Sequence, residues 1–147
     1  MQCDLVIVGA GVAGLSAAVA AHEQGLHAVI VDKGQWHEGA RTIPRYPNAA
    51  TKIAQGGVAV TGLHDTELDT NLDDALALHV ADTLDAGAGL CDEEAVTSII
   101  EGGAAAVQKL IDLGGHFDAT AEGPLKRTRE GGHSVRRIIH AGGDATG

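Results

Sequence analysis

Apolar residues follow different spacings along this chain, and each spacing predicts a different element. Leu5-Val6-Ile7-Val8 is an unbroken apolar run. It predicts a strand from Asp4 to Val8 that is buried on both faces, because no polar residue alternates within it. An alanine-rich stretch follows and predicts a helix from about Val12 to Gln24, ended by Gly25. A second apolar run, Ala28-Val29-Ile30-Val31-Asp32, predicts another strand, which the right-handed crossover rule makes a parallel neighbour of the first. Further on, Leu72, Leu76, Val80 and Leu84 recur every fourth residue, which predicts a helix over residues 70–86 stopped by Gly87-Ala88-Gly89. Asp92 is placed to cap a second helix that carries Glu93 and Glu94 in its first turn and runs to about Leu113, broken or bent at Gly102-Gly103. Beyond Gly114-Gly115 the pattern shortens into strand-like pieces, with residues 135–139 as the clearest strand and Glu122-Gly123-Pro124 as a turn.

The junction between the first strand and the first helix carries chemistry. Gly9, Gly11 and Gly14 form a G-x-G-x-x-G turn after a strand and before a helix. Gly9 lets the chain turn tightly, Gly11 has no Cβ to block a pyrophosphate, and Gly14 lets the helix lie close to the strand. The unpaired N–H groups of the helix start then face an anion. Asp32 ends the second strand, 18 residues after Gly14, where a carboxylate can accept hydrogen bonds from ribose hydroxyls and would repel a 2′-phosphate. An aspartate that merely opens a turn with Lys33-Gly34 is the plainer alternative, but the glycines and the acid agree in register. The fold class expected is therefore α/β: a Rossmann-like FAD/NAD(P)-binding β-α-β unit with additional helices, a short strand region and an incomplete sheet.

Composition narrows the partners. The 147 residues carry a formal net charge of −10 and only 2% aromatic residues, which argues against a nucleic-acid surface and favours a small-molecule ligand. Cys3 and Cys91 make no disulfide framework, so a cytoplasmic setting is expected. Residues 5–21 lack charge but are divided by three glycines and preceded by Asp4, so they read as strand and helix rather than as a membrane span or signal peptide. The eight histidines show no metal-ligand spacing, and no metal is assigned. Between Asp65 and Glu101 lie eleven acids and no Lys or Arg, read as solvated helix faces. Lys126, Arg127, Arg129, Arg136 and Arg137 supply half of the ten basic residues, either as surface charge balance or toward an anionic ligand.

Three segments together resemble the L-aspartate oxidase family, flavoenzymes related to the flavoprotein subunits of succinate dehydrogenase and fumarate reductase. They are residues 6–14; Ala54-Gln55-Gly56-Gly57-Val58-Ala59 with the downstream run from His79 to Asp92; and Thr128-Arg129-Glu130-Gly131-Gly132-His133-Ser134 with residues 136–141. The resemblance implies FAD as cofactor, with contacts from Gly9, Ala10, Gly11, Val12, Ala13, Gly14, Asp32, Lys33, Thr51, Ala54, Gln55, Gly56 and Gly57. It divides the chain, as the amino-terminal part of an FAD-binding domain, into a β-α-β unit (1–34), a flavin-contacting loop (35–62), a helical segment (65–113) and a strand and loop segment (114–147). Lys52-Ile53 stands where the family has an aromatic pair, and the loop over residues 39–53 is longer than the family usual.

For activity, the resemblance implies oxidation of L-aspartate to iminoaspartate, with oxygen or fumarate as electron acceptor, in de novo NAD biosynthesis with quinolinate synthase as pathway partner. Glu130 is the implied substrate-binding residue: a carboxylate suits the amino-acid ammonium and can aim Cα–H at the flavin. No catalytic residue is assigned within the chain, because the family's catalytic arginine is expected downstream, and the 147 residues alone are expected to lack turnover. The alternatives are a fumarate reductase or succinate dehydrogenase type of flavoprotein, half of an NAD-dependent dehydrogenase, and a non-catalytic dinucleotide-binding module.

Overall fold

The computed structural model describes residues 2–33, 50–63, 72–143 and 145–146. Residues 34–49, which include most of the loop expected over 39–53, and the start of the helix expected over 70–86 lie outside the described residues. The chain forms two compact units, one up to Gln55 and one over Gly56–Thr146.

In the first unit, β1 (Leu5–Val8) and β2 (Ala28–Val31) pair in parallel in the register Leu5↔Ala28 to Val8↔Val31, joined by α1 (Val12–Glu23). Asp4 closes the start of the pair: its N–H donates to the His27 carbonyl at 2.9 Å, and its carboxylate accepts the His27 N–H at 2.9 Å. Gly25, at φ +74°, turns the chain out of the helix, a conformation that favours glycine. The uncharged run of residues 5–21 thus resolves into strand and helix, and no helix among the described residues is long and apolar enough to cross a membrane.

One expectation fails here. β1 is not buried on both faces: Ile7 is 8% exposed, but Val8 is 86% and Val6 56% exposed. Ile7 lies under α1, where its Cγ2 is 3.3 Å from the position a Cβ on Gly14 would take. The two-stranded sheet has a helix against one face only, so alternate side chains on the other face meet no packing partner among the described residues.

The second unit holds β3 (Val58–Ala59), α2 (Leu72–Ala86), α3 (Glu93–Asp112), β4 (Arg127–Thr128) and β5 (Ile138–Ile139). β5 is central and antiparallel to both neighbours, with Val58↔Ile139 on one side and Arg127↔Ile139 on the other. The core is Val60, Val107 and Ile139, joined by Val58, Leu63, Ala104, Ile111, Phe117 and Leu125. Ile100, Ala104, Val107 and Ile111 follow helical spacing, so α3 presents one apolar stripe to this core. β3 and β4 have two residues each, too short to show alternation in the sequence. The predicted strand over residues 135–139 shrinks to Ile138–Ile139, extended by one bond in which the Val60 N–H donates to the Arg137 carbonyl at 3.0 Å. The turn at Gly123 is present, with φ +109° and its N–H donating to the Thr120 carbonyl at 3.1 Å.

Of the break or bend expected at Gly102-Gly103, the break is absent: α3 runs unbroken through both glycines. Two glycines cost a helix about 2 kcal/mol relative to alanine. Packing of Ile100 before them and of Ala104 and Val107 after them holds the helix across the weak point. The expected cap is present: the Asp92 carboxylate accepts the Ala95 N–H at 2.9 Å. Asp92→Ala is expected to lower the unfolding free energy by about 1 kcal/mol with no change in the denaturant slope, read by urea titration.

Candidate functional site

The glycine turn of the first unit is built from backbone. The ladder between β1 and β2 continues one step, with the Gly9 N–H donating to the Val31 carbonyl at 2.8 Å, so Asp32 follows β2 at the same end as the turn. Gly9 has φ +100°, and a Cβ on Gly14 would lie 1.9 Å from the Gly9 carbonyl oxygen, so both positions require glycine. Gly11 is the N-cap of α1 and offers no capping side chain; instead the Thr51 hydroxyl, from the 3-10 turn Thr51–Ile53, accepts the Val12 N–H at 3.1 Å. The N–H groups of Ala13 and Gly14 lie in the first turn, where α-helix geometry provides no carbonyl partner. An anion cradle with an acid beside it suits the diphosphate and ribose of a dinucleotide without a 2′-phosphate. Gly9, Ala10, Gly11, Val12, Ala13, Gly14, Asp32 and Thr51 thus lie at one end of the β1–β2 pair, while Lys33, Ala54 and Gln55 are exposed on the same unit.

In the second unit the segment between β4 and β5 carries Glu130. A turn closed by the His133 N–H on the Glu130 carbonyl at 3.2 Å runs through Gly132 at φ +82°. Glu130 Oε1 lies 2.8 Å from His140 Nε2, immediately after β5, and Glu130 Oε2 would be 3.9 Å from a Cβ on Gly56. Gly57 lies so close to β5 that a Cβ there would be 2.3 Å from Ile138 Cγ2 and 2.9 Å from His140 Nε2. Gly56 thus adjoins Glu130, and Gly57 adjoins His140.

The same segment is held from behind by Asp82 of α2. The Asp82 carboxylate accepts the Ser134 N–H and the Ser134 hydroxyl, each at 2.8 Å, and Arg137 at 2.6 Å. These partners, the Ser134 N–H foremost, hold its carboxyl down to about 2. Arg137 is 2% exposed, and its Nε and Nη2 are buried without a hydrogen-bond partner among the described residues, so Asp82 is the acid that offsets the cost of burying it. His133 Nδ1 lies 3.2 Å from Arg137; the guanidinium can only donate, so this nitrogen accepts. His79 is buried beside this group, with Nδ1 3.2 Å from the Thr61 hydroxyl. Burial, then the charge of Arg137 and the neighbouring His133, push its imidazole down to about 4, against the pull of Asp82.

Sequence reasoning missed His79, Asp82, Arg137 and His140 as parts of a site, and it misread Asp82 as one of a set of solvated acids. A signal was available for two of them, His79 and Arg137. A spacing of four drifts around a helix, whereas 72, 76, 79, 83 follows the helical period and places His79 and Thr83 on the covered stripe. Asp82 sits beside that stripe. Arg137 alternates with Ile139, which puts an arginine on the buried side of a strand, where it needs an acid. The basic cluster divides accordingly: Arg137 pairs with Asp82, Arg127 donates to the Val60 carbonyl at 3.1 Å, and Arg129 and Arg136 help line an open groove.

Residues 4–147 match the FAD binding domain family. The chain is 48% identical over 148 residues to the L-aspartate oxidase of Streptomyces coelicolor, covering 100% of this chain and 22% of that protein. It is 49% identical over 145 residues to the L-aspartate oxidase of Mycobacterium tuberculosis, covering 98% of this chain and 24% of the relative. The chain thus spans about a quarter of the length of the curated relatives it matches. Among solved structures it resembles the Mycobacterium smegmatis Sdh1 complex, with a TM-score of 0.78, 30% identity, and coverage of 98% of this chain and 22% of that one. It also resembles the E. coli quinol fumarate reductase, with a TM-score of 0.73, 27% identity, and coverage of 95% and 21%.

Two measurements follow from this geometry. Gly11→Val is expected to abolish FAD binding in a fluorescence-quenching titration while circular dichroism keeps its helical signal. Gly14→Ala, with its Cβ against the Gly9 carbonyl, is expected to lose helical signal and thermal stability instead. Unchanged FAD affinity in Gly11→Val would refute the cradle. Second, the folded chain keeps His79 neutral down to about pH 4, whereas the unfolded chain protonates it near 6.5. The unfolded state then binds more protons between those values, so the stability from neutral His79 is complete above pH 6.5 and is lost as pH falls toward 4. Unfolding free energies from urea titrations over that window are expected to drop by an amount on the order of 1–3 kcal/mol, and His79→Gln is expected to flatten the drop.

Proposed function

The chain belongs to the FAD binding domain family, with FAD as its cofactor, and from that premise we propose that it serves an L-aspartate oxidase. The fold class is read as the Rossmann-like β-α-β arrangement of dinucleotide-binding proteins, and residues 1–147 as the amino-terminal part of the FAD-binding domain. The enzyme takes L-aspartate to iminoaspartate, with oxygen or fumarate as terminal acceptor, a step that feeds NAD synthesis.

In this reading the first unit holds the cofactor mainly through its backbone. The N–H groups of Ala13 and Gly14 donate to the diphosphate, the Val12 N–H beside them being taken by the Thr51 hydroxyl, and Asp32 accepts from the ribose. Ala54, Gln55, Gly56 and Gly57 supply the segment that borders the flavin. Bound FAD supplies a two-electron acceptor for the hydride that leaves Cα. Glu130 supplies the charge that selects an amino acid: its carboxylate accepts a hydrogen bond from the substrate ammonium and so fixes the orientation of Cα–H. Loss of the hydride with its electron pair from Cα, and of one proton from nitrogen, leaves the C=N bond of the product.

The observation that carries this reading is Glu130 itself: a half-exposed carboxylate with one oxygen engaged by His140 and the other beside the small Gly56. Succinate and fumarate have no ammonium and give such a group nothing to bind. The likeness to quinol fumarate reductase makes dicarboxylate redox chemistry the competing reading. Ammonia and hydrogen peroxide released from aspartate, but not from succinate, support the oxidase; turnover of succinate alone refutes it. Glu130→Gln in the holoenzyme is expected to lower kcat/KM for aspartate by roughly ten- to a hundredfold, the equivalent of one charge-assisted hydrogen bond, and to leave fumarate reduction within about twofold. An equal loss with both substrates would remove Glu130 from ammonium binding.

A further inference from the structure

A glutamate can aim an ammonium group only if its own carboxylate is aimed, and Glu130 stands on a turn with its side chain 46% exposed. Its two oxygens are in different situations. Oε1 receives His140 Nε2 at 2.8 Å, with the Thr128 hydroxyl farther off at 3.5 Å. Oε2 has no hydrogen-bond partner among the described residues, and the neighbour on its side is Gly56, where even an added Cβ would stay 3.9 Å away. A carboxylate facing an imidazole nitrogen at this distance accepts, so Nε2 carries the hydrogen. This bond does not require the imidazole to be charged.

His140 is anchored where Glu130 is not. Its side chain is 13% exposed, and it directly follows β5, whose Ile138 and Ile139 are buried and paired on both sides. Its carbonyl accepts the Asp118 N–H at 2.7 Å, while the Asp118 carboxylate accepts the N–H groups of Gly142 at 2.9 Å and Gly143 at 3.0 Å. Those two N–H groups hold the Asp118 carboxyl below its ordinary range, so the clasp keeps its charge. On the other side, the close approach of Gly57 limits where the ring can lie. The imidazole is thus a fixed donor presented to a carboxylate that would otherwise rotate.

Resting on the reading of Glu130 as the ammonium acceptor, we propose that His140 is its positioning residue: by occupying Oε1 it leaves Oε2 as the atom that receives the substrate ammonium. The specificity for amino over unsubstituted dicarboxylates then depends on a pair, of which only the glutamate touches substrate. A plain surface ion pair would contribute little, because two exposed side chains lose as much freedom as they gain in attraction. Here one partner is already fixed by the fold, so the bond orders only the other.

Two amides of different reach separate positioning from structure. The nitrogen of a glutamine at position 140 falls near the place of Nε2, whereas that of an asparagine stops near Nδ1 and cannot reach Glu130. In the FAD-loaded holoenzyme, His140→Asn is expected to lower kcat/KM for aspartate about tenfold or more and to leave fumarate reduction within about twofold, and His140→Gln is expected to restore aspartate turnover to within about threefold of the parent. Combined with Glu130→Gln, His140→Asn should add no further loss for aspartate, since the carboxylate it positions is gone. Equal losses with both substrates, or equal effects of the two amides, would overturn the proposal. Unchanged aspartate kinetics in His140→Asn with a selective loss in Glu130→Gln would overturn it while leaving the glutamate's role intact. No selective loss in Glu130→Gln would overturn both.

Discussion

The Asp82 carboxylate decides where the segment between β4 and β5 lies. One side chain on α2 gathers a main-chain N–H and a hydroxyl from Ser134 and the guanidinium of Arg137, which is almost fully buried. A buried arginine without its acid would be far more costly than an absent pair, so this interaction acts less as added stability than as a condition on the fold. Ser134 and Arg137 fix the backbone on which Glu130 precedes them and His140 follows across β5, and the Glu130 side chain is then held by His140. The neutral state of His79 belongs to the same arrangement. An imidazolium there would add a second positive charge beside Arg137, with one carboxylate to answer both.

What could be read from the sequence was what depends on local chemistry. The glycine turn, its flanking strand and helix, and the Asp92 cap each rest on residues adjacent in the chain, and all were legible. The pairing of β1 with β2 followed from one crossover rule. Features set by distant partners were not legible. The continuity of α3 through Gly102 and Gly103 depends on Val60 and Ile139 beneath it, and no local signal reports them. Asp82 looked like any other acid in an acidic block, because the residues that distinguish it are more than fifty positions away. Glu130 was found only through the resemblance of its segment to a family; by itself, Glu130 beside Arg129 reads as a surface ion pair.

The glycines show how packing and ligand requirements can be told apart. At Gly14 and Gly57 an added Cβ would lie at 1.9 and 2.3 Å from existing atoms, so the chain itself demands glycine there. At Gly9 and Gly56 the φ values of +100° and +79° make the demand conformational. Gly11 meets neither condition. Its φ is −76°, open to any residue, and the contact its Cβ would make is with the Thr51 hydroxyl at an ordinary 3.4 Å. Nothing described within the chain requires glycine at position 11, which lies at the start of a helix with backbone donors facing outward. Glycine at position 11 leaves the backbone open to a group that approaches from outside, and the diphosphate of a dinucleotide, as proposed above, is such a group. The one glycine of the motif that the described fold could do without is therefore the one for which the proposed cofactor supplies a reason.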